Sequence, residues 1–161
     1  MTSDYGTCLR STLARKILID SDVILDLFLS REPHHTYALH FFSHIDVKRA
    51  SVAAFASPVA IANVGYVLTK LKNQQYAVGK LRELRTLLAV APMDEKTVDL
   101  ALARPYRDFE YALQYQCAVG NGMATLVTRN ERDYPGGTVQ VIAPLDFMRL
   151  DLAEVSPMAP L

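Results

Sequence analysis

The chain has 161 residues, half of them hydrophobic, and its 17 Lys and Arg residues are balanced by 17 Asp and Glu residues. This length is typical of a single domain with a buried core, and the zero net charge argues against phosphate binding by the whole surface. Because no apolar run reaches the ~18 residues that a bilayer-spanning helix needs, we expect no membrane segment and a cytoplasmic protein. The two cysteines match neither a disulfide framework nor a zinc motif.

The zero net charge conceals an asymmetry along the chain. Residues 1–86 carry 11 basic and 7 acidic side chains, whereas residues 87–161 carry 6 basic and 10 acidic ones. Between residues 70 and 85, five basic side chains accompany a single acidic one. A solvated helix surface is the more common explanation of such a run, but a basic flank beside an acidic pocket also fits.

The two ends of the chain lack the pattern of its middle. Residues 1–15 have no apolar core like that of a signal peptide, so we expect a flexible N-terminal lead-in. Residues 151–161 contain two prolines near the end and are expected to form a C-terminal tail. The predicted domain therefore covers residues 16–150.

Short apolar runs alternate with amphipathic segments throughout that domain. The apolar runs predict buried parallel strands at 16–20, 52–56, 124–128 and 139–142, with a further apolar run at 88–91. Helices are expected from Ser21 as a cap, then at 34–46, 58–72, 76–87, 94–103, 108–119 and near 145–150. Strands that alternate with helices in this way predict an α/β fold with a parallel sheet covered on both faces.

Acidic and amide side chains fall where the predicted strands end or where the following helices begin. Ligands collect at the carboxyl ends of parallel strands, so these side chains are candidates for one cleft. Two carboxylates about 4 Å apart repel by ~4 kcal/mol at an effective dielectric constant of 20, so such a cleft needs a cation or a shared proton. Oxygen ligands without His or Cys select Mg²⁺ or Mn²⁺, and the matching chemistry is phosphodiester hydrolysis. The candidates are Asp20, Asn63, Asp108, Glu110, Asn130 and Asp133.

Several of these acids also have a structural explanation. Asp108 can cap a helix, and Asp133 can belong to a turn. Asp22 is interpreted as a helix-start acid and Asp26 as a polar position on an amphipathic helix. Asp20 is harder to explain in this way, because an acid that ends an apolar strand is costly unless it is paired or solvated.

Four segments of the sequence carry a family resemblance. In chain order they are IDSDVILD at 19–26, SPVAIANVGYVL at 57–68, DFEYALQY at 108–115 and LVTRNERDY at 126–134. Together they resemble the PIN-domain family, which contains VapC-type ribonuclease toxins. The resemblance covers residues 16–150 and implies a three-layer α/β/α sandwich around a central parallel sheet.

The resemblance assigns the site residue by residue. The family's first acid corresponds to Asp20, and its Thr-Arg-Asn-x-x-Asp segment corresponds to Asn130 and Asp133. The two acids between them fall on Asn63 and Tyr111, neither of which is a carboxylate.

Nearby acids can replace the carboxylate that is missing at Tyr111, since Asp108 shares a helix face with it and Glu110 adjoins it. The resemblance therefore implies a weakened Mg²⁺ or Mn²⁺ site on Asp20, Asp108 and Asp133, with the other candidates as further catalytic residues.

The implied function is metal-dependent hydrolysis of RNA phosphodiester bonds, weakened by the two replacements. The alternative is a catalytically inactive PIN domain that acts as an RNA-binding or protein-interaction module. The resemblance also implies RNA as a partner, an antitoxin protein as a second partner, and a homodimer.

Overall fold

The computed structural model describes residues 14–104, 107–134 and 136–155. Its strands form one parallel sheet in the order β3-β2-β1-β4-β5. Their bounds are β1 (Arg15–Ile19), β2 (Val52–Ala56), β3 (Ala89–Val90), β4 (Thr125–Val127) and β5 (Gln140–Ile142).

Helices connect the strands and cover both faces of the sheet. None of the described helices has both the length and the apolar character needed to cross a lipid bilayer. Their bounds are α1 (Ser21–Leu29), α2 (His34–Val47), α3 (Pro58–Leu71), α4 (Gln74–Leu87), α5 (Glu95–Leu102), α6 (Phe109–Gly120) and α7 (Pro144–Val155), with a short 3₁₀ helix, η1 (Glu131–Asp133).

The central strand shows why the chain forms three layers. Successive side chains of a strand point to opposite faces, and in β1 the last three residues, Ile17 to Ile19, are fully buried on both faces. Ile17 and Ile19 pack into a core with α1 to α4 and α7, whereas Leu18 packs into a second core with α6. The predicted three-layer sandwich is therefore confirmed.

Two element boundaries differ from the sequence expectation. The apolar run at 88–91 contributes only the two-residue edge strand β3, and helix α7 continues past residue 150 to Val155. The reason for the longer helix is Asp151, which is buried and accepts hydrogen bonds from Arg15 at 3.0 Å and His44 at 2.7 Å. The predicted lead-in before residue 14 and the predicted tail after residue 155 lie outside the described residues.

The strand order places a crevice at the carboxyl end of β1. The chain leaves β1 toward β2 on one side, whereas β4 joins the sheet on the other side, so the connections diverge at this point. The backbone continues the pairing there, because the Asp20 amide donates to Val127 O at 2.9 Å. Crevices of this kind are where open parallel sheets bind ligands.

A loop after η1 closes over the second core and leads into β5. Within this loop, Gly137 lies against the ring of Tyr115, and a β-carbon at position 137 would collide with the Tyr115 hydroxyl. Gly136, its neighbour, has open space in the corresponding direction. The close approach at Gly137 fixes the path of the loop that starts at Tyr134.

Gly137→Ala is expected to lower the free energy of unfolding by about 1–3 kcal/mol, because the added methyl group overpacks the contact with Tyr115. The measurement is urea unfolding followed by circular dichroism. Gly136→Ala is the matched control and should leave stability nearly unchanged. Equal effects of the two substitutions would contradict the proposed contact.

Candidate active site

Asp20 is the centre of the crevice, and protein groups surround its carboxylate. The residue is 1% exposed. Its Oδ1 accepts hydrogen bonds from the backbone N of Ser21 and from Nε2 of Gln114, each at 2.6 Å. Its Oδ2 accepts from Oγ1 of Thr128 at 2.8 Å and from the hydroxyl of Tyr134 at 2.9 Å. A fifth, longer hydrogen bond comes from Oγ of Ser21 to Oδ1 at 3.3 Å. A carboxylate has about four acceptor positions, so the four shorter hydrogen bonds already occupy its capacity.

The donors to Asp20 come from three separate elements. The strand end at β4 supplies Thr128, helix α6 supplies the fully buried Gln114, and the loop after η1 supplies Tyr134. The prediction that Ser21 caps α1 is wrong by one residue, because Asp20 holds the cap position and its own carboxylate accepts the Ser21 amide. Asp20 is thus both a helix cap and a buried acceptor.

A second carboxylate, Asp22, lies in the first turn of α1. Its Oδ2 accepts from the backbone N of Arg129 at 3.1 Å and from Nδ2 of Asn130 at 2.9 Å. Its Oδ1 is buried without a hydrogen-bond partner among the described residues. Burial and, after it, the charge of Asp20 raise the pKa of Asp22 to about 7. A proton on Asp22 therefore removes one negative charge from the cleft at acidic and near-neutral pH.

Asp26 continues this line of acids along α1. Asp26, interpreted from the sequence as a polar position on an amphipathic helix, is buried, and NH1 of Arg129 lies 3.2 Å from its Oδ1. Arg129 also lies 3.8 Å from Asp22. Arg129 thus pairs with two acids of α1 and holds the loop after β4 against that helix.

Glu110 and Asn63 meet on the opposite side of the crevice. The Nδ2 of Asn63 donates to Oε1 of Glu110 at 2.5 Å, which joins α3 to α6. Burial raises the pKa of Glu110, and the charges of Asp20 and Asp108 add to this effect. Nε2 of Gln114 lies between the two carboxylates, 2.6 Å from Oδ1 of Asp20 and 3.5 Å from Oε1 of Glu110, so this amide bridges them.

Asp108 has a different environment from Asp20. It is the exposed cap of α6, and its Oδ1 accepts the backbone N of Glu110 at 2.8 Å. The structural explanation of Asp108 as a helix cap is thus confirmed.

Tyr111 occupies the space between the acids. Burial raises its pKa, and the charges of Asp20 and Asp133 raise it further. Its ring packs edge-on against Tyr134 with centroids 4.9 Å apart, and its hydroxyl lies 3.5 Å from Nδ2 of Asn130. A neutral phenol therefore stands among the carboxylates of the cleft.

The cleft brings together Asp20, Asn63, Glu110 and Asn130, while Asp108 stays at the surface as a cap. No three His, Cys, Asp or Glu side chains are grouped to hold a metal ion anywhere in the described ranges. At Asp20 a cation would have to displace the hydrogen bonds that protein groups donate to the carboxylate. At Tyr111 the neutral phenol offers no carboxylate to a cation. In this arrangement the residues present do not fit a bound Mg²⁺ or Mn²⁺.

Sequence reasoning missed three residues that complete the cleft, namely Gln114, Thr128 and Tyr134. Gln114 gave a signal, since it is a polar side chain one helical turn after Glu110 in an otherwise apolar segment. Thr128 also gave a signal, as the first residue of the Thr-Arg-Asn-x-x-Asp segment. Tyr134 gave none, because its role depends on the path of the loop between β4 and β5.

Asp20→Asn is expected to lower the free energy of unfolding by about 2–4 kcal/mol, because an amide cannot accept from all four donors and buried donors are left unpaired. Urea unfolding measures the change. Asp108→Asn is the control, and it should cost little since Asn caps helices as well as Asp does. A gain in stability from Asp20→Asn would show that repulsion between acids dominates the site and would contradict this description.

The pKa of Asp22 predicts a pH dependence of stability. Its pKa rises from 3.8 to about 7 on folding, so between these values the folded protein binds more protons than the unfolded chain. Stability should therefore fall as pH rises from about 4 to about 7, by an amount on the order of a few kcal/mol.

Unfolding measured across this pH range tests the effect. Asp22→Asn should remove most of the slope, and the raised pKa of Glu110 leaves a smaller slope of the same sign. An unchanged slope in the variant would contradict the assignment to Asp22.

A protein-family model and a related ribonuclease both match this chain over most of its length. Residues 16–132 match the family model of the PIN domain. Ribonuclease VapC1 of Aquifex aeolicus is 24% identical to this chain in an alignment of 139 positions that covers 83% of this chain and 94% of the relative.

Solved structures of VapC-type proteins share the fold at low sequence identity. The DNA-bound VapBC structure from Salmonella typhimurium matches with a TM-score of 0.61 and 15% identity, covering 81% of this chain and 98% of the matched chain. The Mycobacterium tuberculosis toxin VapC20, which cleaves the sarcin-ricin loop, matches with a TM-score of 0.55 and 14% identity, covering 68% and 86%. Because the family model spans most of its residues, this chain belongs to the PIN domain family.

Proposed function

We propose that this chain is an RNA-binding PIN domain related to VapC ribonucleases in which metal-dependent hydrolysis is lost or strongly weakened. The observation that carries the proposal is the environment of Asp20, whose carboxylate accepts four protein hydrogen bonds. In metal-dependent nucleases a divalent cation activates water and stabilises charge on the phosphate. Here Gln114 and Tyr134 donate hydrogen bonds to the Asp20 carboxylate, which such a cation would need as a ligand.

The similarity to ribonuclease VapC1 supports RNA as the ligand. The loop after β4 offers a place for phosphate at the cleft. A cavity of about 490 Å³ is lined by residues 129–133, and the exposed Arg132 belongs to it. Arginine is well suited to phosphate because its guanidinium donates two parallel hydrogen bonds.

A residual metal-dependent ribonuclease is the second candidate, and Glu110 is the observation that favours it. Its carboxylate lies close enough to Asp20 for charge coupling, so a rotation of Gln114 away from Asp20 would leave two facing carboxylates. Asp20, Glu110 and the predicted ligands Asp108 and Asp133 would then be the residues that hold Mg²⁺ or Mn²⁺.

We extend the proposal to two protein partners. Structures of VapBC complexes from several bacteria share this fold, which supports an antitoxin protein as a partner of this chain. A homodimer remains part of the proposal on the strength of the family resemblance alone.

The decisive experiment combines RNA binding with RNA cleavage in Mg²⁺ or Mn²⁺. The wild-type protein is expected to bind single-stranded RNA without added metal and to cleave it no faster than Asp20→Asn does. Tyr111→Asp places a carboxylate beside Asp20 and should create a cation site. Mn²⁺ at about tenfold above its Kd would then raise the free energy of unfolding of this variant by about 1.4 kcal/mol.

The control is Tyr111→Phe, which removes the hydroxyl without adding charge and should gain no response to Mn²⁺. Wild-type cleavage that requires Mn²⁺ and disappears in Asp20→Asn would establish the second candidate instead. Absence of RNA binding by the wild-type protein would overturn the proposal.

A further inference from the structure

One face of α3 leads away from the cleft and carries residues that the site itself does not use. Asn63, Tyr66 and Lys70 follow one another at spacings of three and four, so they lie along one side of the helix. Asn63 contacts Glu110 in the cleft. Lys70 lies seven residues further on, about 10 Å along the helix axis. The three side chains therefore form a line that starts at the cleft and continues along the surface.

Tyr66 is an unusual surface residue on this line. It is 64% exposed, and the ammonium of Lys70 lies 5.6 Å from the centroid of its ring. The cation over the ring is a cation–π contact that orders the tyrosine at the surface. An exposed ring beside a basic side chain is the combination with which proteins stack and hold single-stranded nucleic acid.

The charge of the surrounding surface is strongly basic. Across α3 and α4 and the turn between them, the one acidic side chain is Glu83, which pairs with Lys80 at 2.7 Å. The other basic side chains make no ion pair with a carboxylate among the described residues, and most are exposed. Unneutralised positive charge is what a phosphate backbone requires. These other basic residues are Lys70, Lys72, Arg82 and Arg85.

We propose that the α3 track, defined as Asn63, Tyr66 and Lys70 on one side of the helix together with Lys72 at its C-cap, binds single-stranded RNA that extends out of the cleft. Tyr66 stacks on one base, and Lys70 and Lys72 contact the adjoining phosphates. The inference rests on the proposed RNA binding and adds the surface and the strandedness of the ligand. A stacked base must be free of its helix partners, which favours a single strand over a duplex. An acidic protein segment would use the lysines but would gain nothing from the stacking.

The test is fluorescence anisotropy with a labelled single-stranded RNA, measured over a range of salt concentrations. Tyr66→Ala should weaken binding about 5- to 100-fold, since stacking contributes roughly 1–3 kcal/mol per base. Tyr66→Phe keeps the ring and should bind nearly as the wild type does. Replacing both Lys70 and Lys72 by Ala should reduce the slope of log K against log salt by about 1.4.

Leu102→Ala is the control for the loss of an exposed apolar side chain, because Leu102 lies on α5, which packs against α6, and its loss should not change affinity. If the wild-type protein binds RNA but Tyr66→Ala binds equally well, the proposed role of the α3 track is wrong, whereas RNA binding by the chain is still supported. If wild-type protein does not bind RNA at all, both proposals fail. Equal competition by polyglutamate and by RNA would identify the surface as a docking site for acidic protein and would overturn the inference.

Discussion

Several elements of the fold meet at one buried carboxylate, that of Asp20. Asp20 ends the central strand, caps the first helix and accepts hydrogen bonds from the end of β4, from α6 and from the loop after η1. Removing an acid from water is costly, and only a full set of donors compensates for it. The position of α6 against the sheet and the path of the β4–β5 loop therefore both depend on this group. Donors of the protein itself thus occupy the lone-pair positions of this carboxylate.

Neutral and basic groups control the charge of the cleft. The acidic surplus of the second half of the sequence does not gather there, since Asp108 stays at the surface and Tyr111 takes a central place. The acids that do meet are Asp20, the two acids of α1 and Glu110 of α6, and Arg129 and raised pKa values limit their charge. This distribution lowers the net negative charge of the cleft.

The sequence predicted the large features well for a physical reason. Period-two and period-3.6 patterns identify strands and helices locally, and the carboxyl edge of a parallel sheet is known once the strands are known, so Asp20 could be placed in the cleft. The hydrogen bonds that Gln114 and Tyr134 donate to the Asp20 carboxylate could not be predicted. They depend on the rotation of α6 and on a loop whose course is set by the contact between Gly137 and Tyr115. The burial of Asp26 could not be predicted for a similar reason, because its partner Arg129 comes from a distant part of the chain.

The ion pair between Arg15 and Asp151 joins the first strand to the last helix. Arg15 is at the amino end of β1, and the cleft is at the carboxyl end of the same strand. The two ends of the described fold are thus tied together at the edge opposite the cleft. A domain fused through either end would emerge from that far side and leave the edge that carries the cleft uncovered. The same topology makes a circular permutation across this junction a conservative rearrangement, since the new link would bridge elements that already touch.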